Sequence, residues 1–168
     1  MPEKQTLDRA RQDKLQGKAP TTQAGEFVRE EIHHVRKGKH GARSPQQAIA
    51  IGLSKARRAG VDLPPPKAGQ TSEKTRRSAK SPYQRDHGNG AHGAPSPRRS
   101  RSVRAALKRE GHSAASSESL TQQGRSAARR RSPAERSAAA RKAVRTKGPA
   151  ARSASAMKAA RKRAARRH

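Results

Sequence analysis

The residues of this chain that could do chemistry are overwhelmingly cations. Of 168 residues, 41 are Lys or Arg and 12 are Asp or Glu, giving a formal net charge of +29. The density is greatest at the C-terminal end, where residues 125–168 carry 16 Lys/Arg and a single acid, Glu135. Fixed positive charge with so little internal neutralisation seeks a polyanion, and the chemistry it offers is phosphate pairing with release of counterions. The candidate phosphate-binding residues there are Arg125, Arg129, Arg130, Arg131, Arg136, Arg141, Lys142, Arg145, Arg161, Lys162, Arg163, Arg166 and Arg167. Charge serving solubility alone is usually moderate or mixed in sign, so nucleic acid is the expected partner.

Two further groups extend the set. Ser96-Pro97-Arg98-Arg99 resembles the Ser-Pro-Arg-Arg turn of linker-histone tails, whose arginines enter the minor groove. The loop GKHGARS, Gly38 to Ser44, carries Lys39 and Arg43 into a helix N-terminus, a setting that suits a phosphate. It lacks the spacing of a P-loop. A helix-turn-helix reader is disfavoured because that motif needs a turn of three or four residues. Phe27 and Tyr83 are the only aromatic residues, so there is no platform for stacking bases, and duplex DNA or structured RNA fits better than sequence-specific single strands; of the two, duplex DNA is the expected partner ahead of RNA.

Other chemistries lack their parts. Glu30/His33 and Glu31/His34 have the Glu-x-x-His spacing of bundle metal sites, but those sites draw further carboxylates from other helices. Surface histidines are the simpler reading, and neither a metal nor another cofactor is expected. Without cysteine there is no disulfide framework and no thiolate site. No nucleophile has an identifiable base and orienting group, so no enzyme is expected. The N-terminus has no apolar core of a signal peptide, and no run approaches the ~20 apolar residues of a membrane span. A cytoplasmic, nucleoid location with no membrane partner follows as an expectation.

The elements that would hold these cations are few. Phe, Leu, Ile and Val number 15, and nine of them lie between Phe27 and Leu63. Residues 4–16 suggest a short helix on Leu7 and Leu15, closed by Gly17, with Pro20 as a break. A helix from about Gln23 to Lys37, N-capped by Thr22, would place Ala24, Phe27, Val28, Ile32 and Val35 on one face, with Glu26, Glu30 and Glu31 early and Arg36 and Lys37 late to suit its dipole. A second would start at Ser44-Pro45 with Gln47 completing a capping box, and run to Gly60 with a stripe of Ile49, Gly52, Leu53, Ala56 and Ala59. Gly52 and the alanines would let another helix approach closely, and Val61 is placed for a Schellman motif. The short connection implies an αα-hairpin, with DLPPPK leaving it as a stiff exit. From Lys67 the composition is that of a disordered chain, apart from two helical turns at Ser102–Glu110. RSAAARKAVRTKG from Arg136 recurs as RSASAMKAARKRA from Arg152. Alanine favours helix there and like charges oppose it, so a polyanion would promote the helical form.

The block TQAGEFVREEIHHVRKGKHGARSPQQAIAIGLSKARRAGVDLPPP, and QAIAIGLSKARRAG above all, resembles a family of small basic bacterial proteins labelled as a domain of unknown function and sometimes as DNA-binding. The likeness extends more weakly to ALKREGHSAAS, RSAARRR and the RSAAARKA repeats. It implies a bacterial source and brings no catalytic residues with it.

The expectation is therefore a mostly α protein with disorder. Residues 1–20 would be an N-terminal arm, 21–66 a helical hairpin, 67–101 a disordered linker and 102–168 a basic repeat tail. Its function would be sequence-nonspecific, histone-like DNA binding, with the hairpin setting dimerisation or recruiting a protein. The alternatives are an RNA- or ribosome-associated protein, and an interaction hairpin with a polycationic anchor.

Overall fold

A computed structural model describes residues 1–69, 71–87 and 96–165. Among these the secondary structure is helical throughout: α1 Lys4–Leu15, α2 Pro20–Arg36, α3 Pro45–Arg58, α4 Glu73–His87, α5 Pro97–Arg109, a 3-10 turn at Ser113–Ala115, α6 Ser117–Arg129 and α7 Pro133–Ala164. The chain divides into two units, Met1–Gln123 and Gly124–His168.

Serine, proline and glycine set the boundaries in the first unit. Pro20 is not a break but the first residue of α2, because proline's fixed φ and missing N–H are harmless at that position. The cap is thus Ala19, three residues before the expected Thr22. Ser44 caps α3 as its sequence predicts, with Oγ accepting the Gln47 N–H at 3.2 Å. Three helices end on a glycine with positive φ: Gly17 (66°), Gly38 (71°) and Gly60 (82°). At Gly60 the pattern is a full Schellman motif, since the Val61 N–H reaches the Ala56 carbonyl at 3.1 Å and the Gly60 N–H reaches that of Arg57 at 3.3 Å. Val61 is buried there, as expected.

The pairing of α2 with α3 is the heart of this unit. Ala24 and Phe27 cluster with Ala56, while Ile32 and Val35 cluster with Ala48. Ascending positions of α2 thus meet descending positions of α3, and the two helices run in opposite directions. Gly52 sits at their closest approach, where a Cβ would come within 2.7 Å of Val28 Cα. The buried stripe of α3 is Ala48, Gly52 and Ala56, rotated from the expected one, and Ala59 is exposed.

More of the chain joins this core than its large apolar residues foretell. In α1 the buried positions are Thr6, Ala10 and Asp13, with Leu7 half-buried. Leu15 is exposed, because eight residues from Leu7 is two turns plus about 80° of rotation. The DLPPP segment folds back instead of leaving. Leu63 is buried, and the Arg57 guanidinium donates from Nε to the Leu63 carbonyl at 2.9 Å. The span read as a linker, 67–101, contains α4, which packs on α3 with Ala79 buried. Ala114 and Ala115 are buried against Ile32, Val35 and Ala48. Eight of the 13 buried apolar residues described are alanines, so close helix contact rather than bulk makes this core.

In the second unit, α7 bends at Gly148 (φ 68°, ψ 171°), next to Pro149. The bend falls between the two sequence repeats, so each copy forms its own stretch of helix.

Candidate nucleic-acid interface

Three of the chain's four Ser-Pro pairs open helices. Ser44-Pro45 starts α3, Ser96-Pro97 starts α5 and Ser132-Pro133 starts α7. The SPRR element is therefore a helix entry, with Arg98 and Arg99 exposed in the first turn of α5, and not a free Ser-Pro turn. Proline at the first helical position explains the difference, as it did for Pro20.

Along α5 the cations gather mainly on one side, with Arg99 lying instead one turn before Val103. Arg101, Arg104 and Lys108 recur at three- and four-residue spacing on one side, with Arg98 a turn earlier, and all are exposed. Val103 and Leu107 share the opposite side. The far end of this helix is held by the α2–α3 loop. The Gly41 N–H reaches the Leu107 carbonyl at 2.8 Å, the Ala42 N–H reaches that of Gly111 at 3.0 Å, and Arg43 Nε lies 3.5 Å from Glu110. Gly41 is required at this contact, since a Cβ there would overlap the Glu110 carbonyl. Sequence reading left out Arg101, Arg104 and Lys108. The signal was available in the helical spacing of SPRRSRSVRAALKRE, had the helix been started at Pro97 instead of Ser102.

The loop cations each face a carboxylate while staying exposed. Lys39 Nζ lies 2.8 Å from Glu3 Oε1, and Arg43 faces Glu110. The Arg43 N–H at the mouth of α3 is taken by Gln47 Oε1 at 2.7 Å. Of the three cations in the last turn of α3, Lys55 is drawn into ion pairs with Glu30 and Glu31, and Arg57 is buried. Burial lowers the pKa of Arg57. Arg58 alone of the three stays exposed.

The second unit is the opposite case. Arg125 and Arg129 lie on α6 and Arg130 and Arg131 in the turn after it. Arg136, Arg141, Lys142 and Arg145 lie on the first stretch of α7, and Arg161, Lys162 and Arg163 on its second. All are exposed. Arg166 and Arg167 lie outside the described residues. The local carboxylate, Glu135, serves the helix itself: Oε2 accepts the Ser132 N–H at 2.7 Å, while Ser132 Oγ accepts the Glu135 N–H at 3.2 Å. The hydrogen bond from the Ser132 backbone and that with its side chain hold the Glu135 carboxyl below its usual range. The cations of α7 surround the helix instead of lining one side, as suits a helix with no apolar face to bury.

Residues 21–67 match a family of unknown function, DUF6496. The matched segment runs from the first turn of α2 to the end of the folded-back DLPPPK, so it covers the α2–α3 pair and leaves α5 to α7 outside. No curated protein and no solved structure matches the chain.

The histidines divide as well. His33 is exposed, in keeping with a surface residue, whereas the side chains of His34 and His40 are only 12% and 16% exposed and turn toward the carboxylates of α2. Glu30 and Glu31 are buried instead of tuning the start of the helix, because Lys55 of α3 meets them. Among the described residues no helix is long and apolar enough to cross a membrane.

Proposed function

We propose that this protein binds nucleic acid without sequence preference, duplex DNA ahead of RNA, and acts as a histone-like, nucleoid-associated protein. The observation that carries this reading is the exposed cationic density of residues 125–165, where 14 Lys/Arg accompany one carboxylate that is already engaged in its own helix cap. The first stretch of α7, Pro133 to Lys147, is about 22 Å long at helical rise, enough to follow several phosphates. Cations on every side of it favour contact with the backbones lining a groove over readout of base edges. The basic side of α5 adds a second contact surface. The aromatics support the preference for duplex. Phe27 is buried, which leaves Tyr83 as a single ring where a stacking platform needs several. The α2–α3 pair, with the helices packed on it, is the surface for self-association or a protein partner.

Binding of the full chain to duplex DNA across a salt series tests this reading. With about ten phosphates engaged, log affinity falls against log salt with a slope near −9. A flat response contradicts it. Competition by structured ribosomal RNA at fixed salt decides the order of preference, and RNA that outcompetes duplex DNA would move the protein to the ribosome-associated class.

A further inference from the structure

The polar cluster between α2, the α2–α3 loop and α3 sets two histidines and a lysine against buried carboxylates. The side chains of Glu30 and Glu31 are 2% and 1% exposed. Lys55 Nζ lies 2.6 Å from Glu31 Oε2 and 3.6 Å from Glu30 Oε1, so one lysine serves two buried carboxylates. The other oxygen of Glu31, Oε1, faces His40 Nε2 at 2.9 Å. Among the described residues no donor makes a hydrogen bond to either Glu31 oxygen. The ring nitrogen is near enough, but its axis misses the oxygen.

His40 is oriented from its other side, with Nδ1 lying 3.0 Å from the Gly41 carbonyl, a contact in which that nitrogen donates. A neutral imidazole used this way presents the lone pair of Nε2 beside a carboxylate, two acceptors in contact with no proton between them. Two ligands held about 2.0–2.1 Å from a common ion in a tetrahedral site lie about 3.3 Å apart, and neither points at the other. Donation of the remote ring N–H to a backbone carbonyl is also the usual way a metal-binding histidine is fixed in tautomer and direction. His34 completes the set: one ligand atom each from Glu31, His34 and His40 fall within 4.8 Å of one another. The two rings stand edge to face, with centroids 6.2 Å apart.

We propose that Glu31, His34 and His40 form a site for one divalent transition-metal ion of the zinc class, with Glu3 closing the fourth position. Two imidazoles and a carboxylate suit Zn²⁺ or Co²⁺ and not the all-oxygen preference of Mg²⁺ or Ca²⁺. Lys55 holds Oε2 of Glu31 and leaves Oε1 for the ion. Glu3 Oε1 lies 2.9 Å from His34 Nε2 and 2.8 Å from Lys39 Nζ, at the open edge of the cluster. Bound metal would tie the N-terminus, α2 and the α2–α3 loop into one body, so the site is structural.

The test is a titration of the full chain, freed of metal by a chelator, with Co²⁺ and then Zn²⁺. The expected result is one equivalent bound, with the visible absorption of four-coordinate Co²⁺, displacement by Zn²⁺ and a rise in Tm. In the unaltered chain two histidine ring signals, those of His34 and His40, should shift with metal, a readout independent of any variant's folding. The paired variant His34→Gln/His40→Gln should bind more than about 100-fold more weakly, beyond the 10–100-fold typical of losing an outer hydrogen bond. His33→Gln should bind as the parent does. Absence of stoichiometric binding by the full chain, shifts confined to other histidines, or undiminished binding by the paired variant would overturn the proposal.

Discussion

The two units of this chain carry nearly the same net charge and use it differently. Residues 1–123 contain 25 Lys/Arg and 11 Asp/Glu, and residues 124–168 contain 16 and one. In the first unit Lys18, Lys39, Lys55, Arg43 and Arg76 each lie within 4 Å of a carboxylate, and Arg57 is buried against backbone carbonyls. In the second, every Lys and Arg described is exposed. Net charge therefore does not tell which cations can meet a phosphate; the supply of nearby carboxylates does. Where acids are present, Lys55 and Arg57 become mortar for a core made mostly of alanine, while Lys18, Lys39 and Arg43 meet carboxylates at the surface. Where acids are absent, lysines and arginines stay available to a polyanion.

Breaking the mortar should leave the available charge untouched. The largest effect is expected from Lys55→Ala, which strands two buried carboxylates and should cost about 3–5 kcal/mol of domain stability. Thermal unfolding followed by circular dichroism should show the loss, while affinity for duplex DNA at fixed salt stays within about 2-fold of the parent if the tail supplies most phosphate contacts. A parallel collapse of both would mean the units are not separable. Next comes Gly52→Ala, whose new Cβ must push against Val28 Cα at 2.7 Å; overpacking of this kind costs about 1–3 kcal/mol, measured by urea denaturation.

The smallest effect belongs to the second unit. Ser132→Ala removes the cap of α7 at a cost of about 1 kcal/mol to that helix, with the Tm of the first unit unchanged. The cap also has a pH signature. The Glu135 carboxyl titrates below its ordinary value in the helix, so its contribution is present above that value and is lost as pH falls through the lowered one. Helicity of α7, followed by NMR shifts of residues 133–147, should fall across that acid range in the parent and show a much weaker step in Ser132→Ala.

Much of the α2–α3 pair was legible because its signals are local. Ser44-Pro45, the glycines at 38, 60 and 17, and the apolar spacing from Ala24 to Val35 each act through neighbouring residues. What stayed hidden was non-local or carried by small residues. Ala10, Ala79, Ala114 and Ala115 join the core only because partner helices come close, and alanine gives no such sign in a chain rich in it. Charge pairing was hidden in the same way. Lys39 and Arg43 read as a phosphate-facing pair, and the carboxylates they meet, Glu3 and Glu110, come from elsewhere in the fold. The basic side of α5 was missed for a different reason, the helix start at Pro97 having been read as a turn.

The division of labour is tested most directly by comparing the salt dependence of duplex DNA binding for the full chain and for residues 1–123. The full chain should give a slope near −9. The shorter chain, left with about three or four contacts from α5, should give a slope near −3 and much weaker binding at moderate salt. Equal slopes for the two would contradict the account, because the exposed cations of residues 124–168 would then not be the ones that meet phosphate.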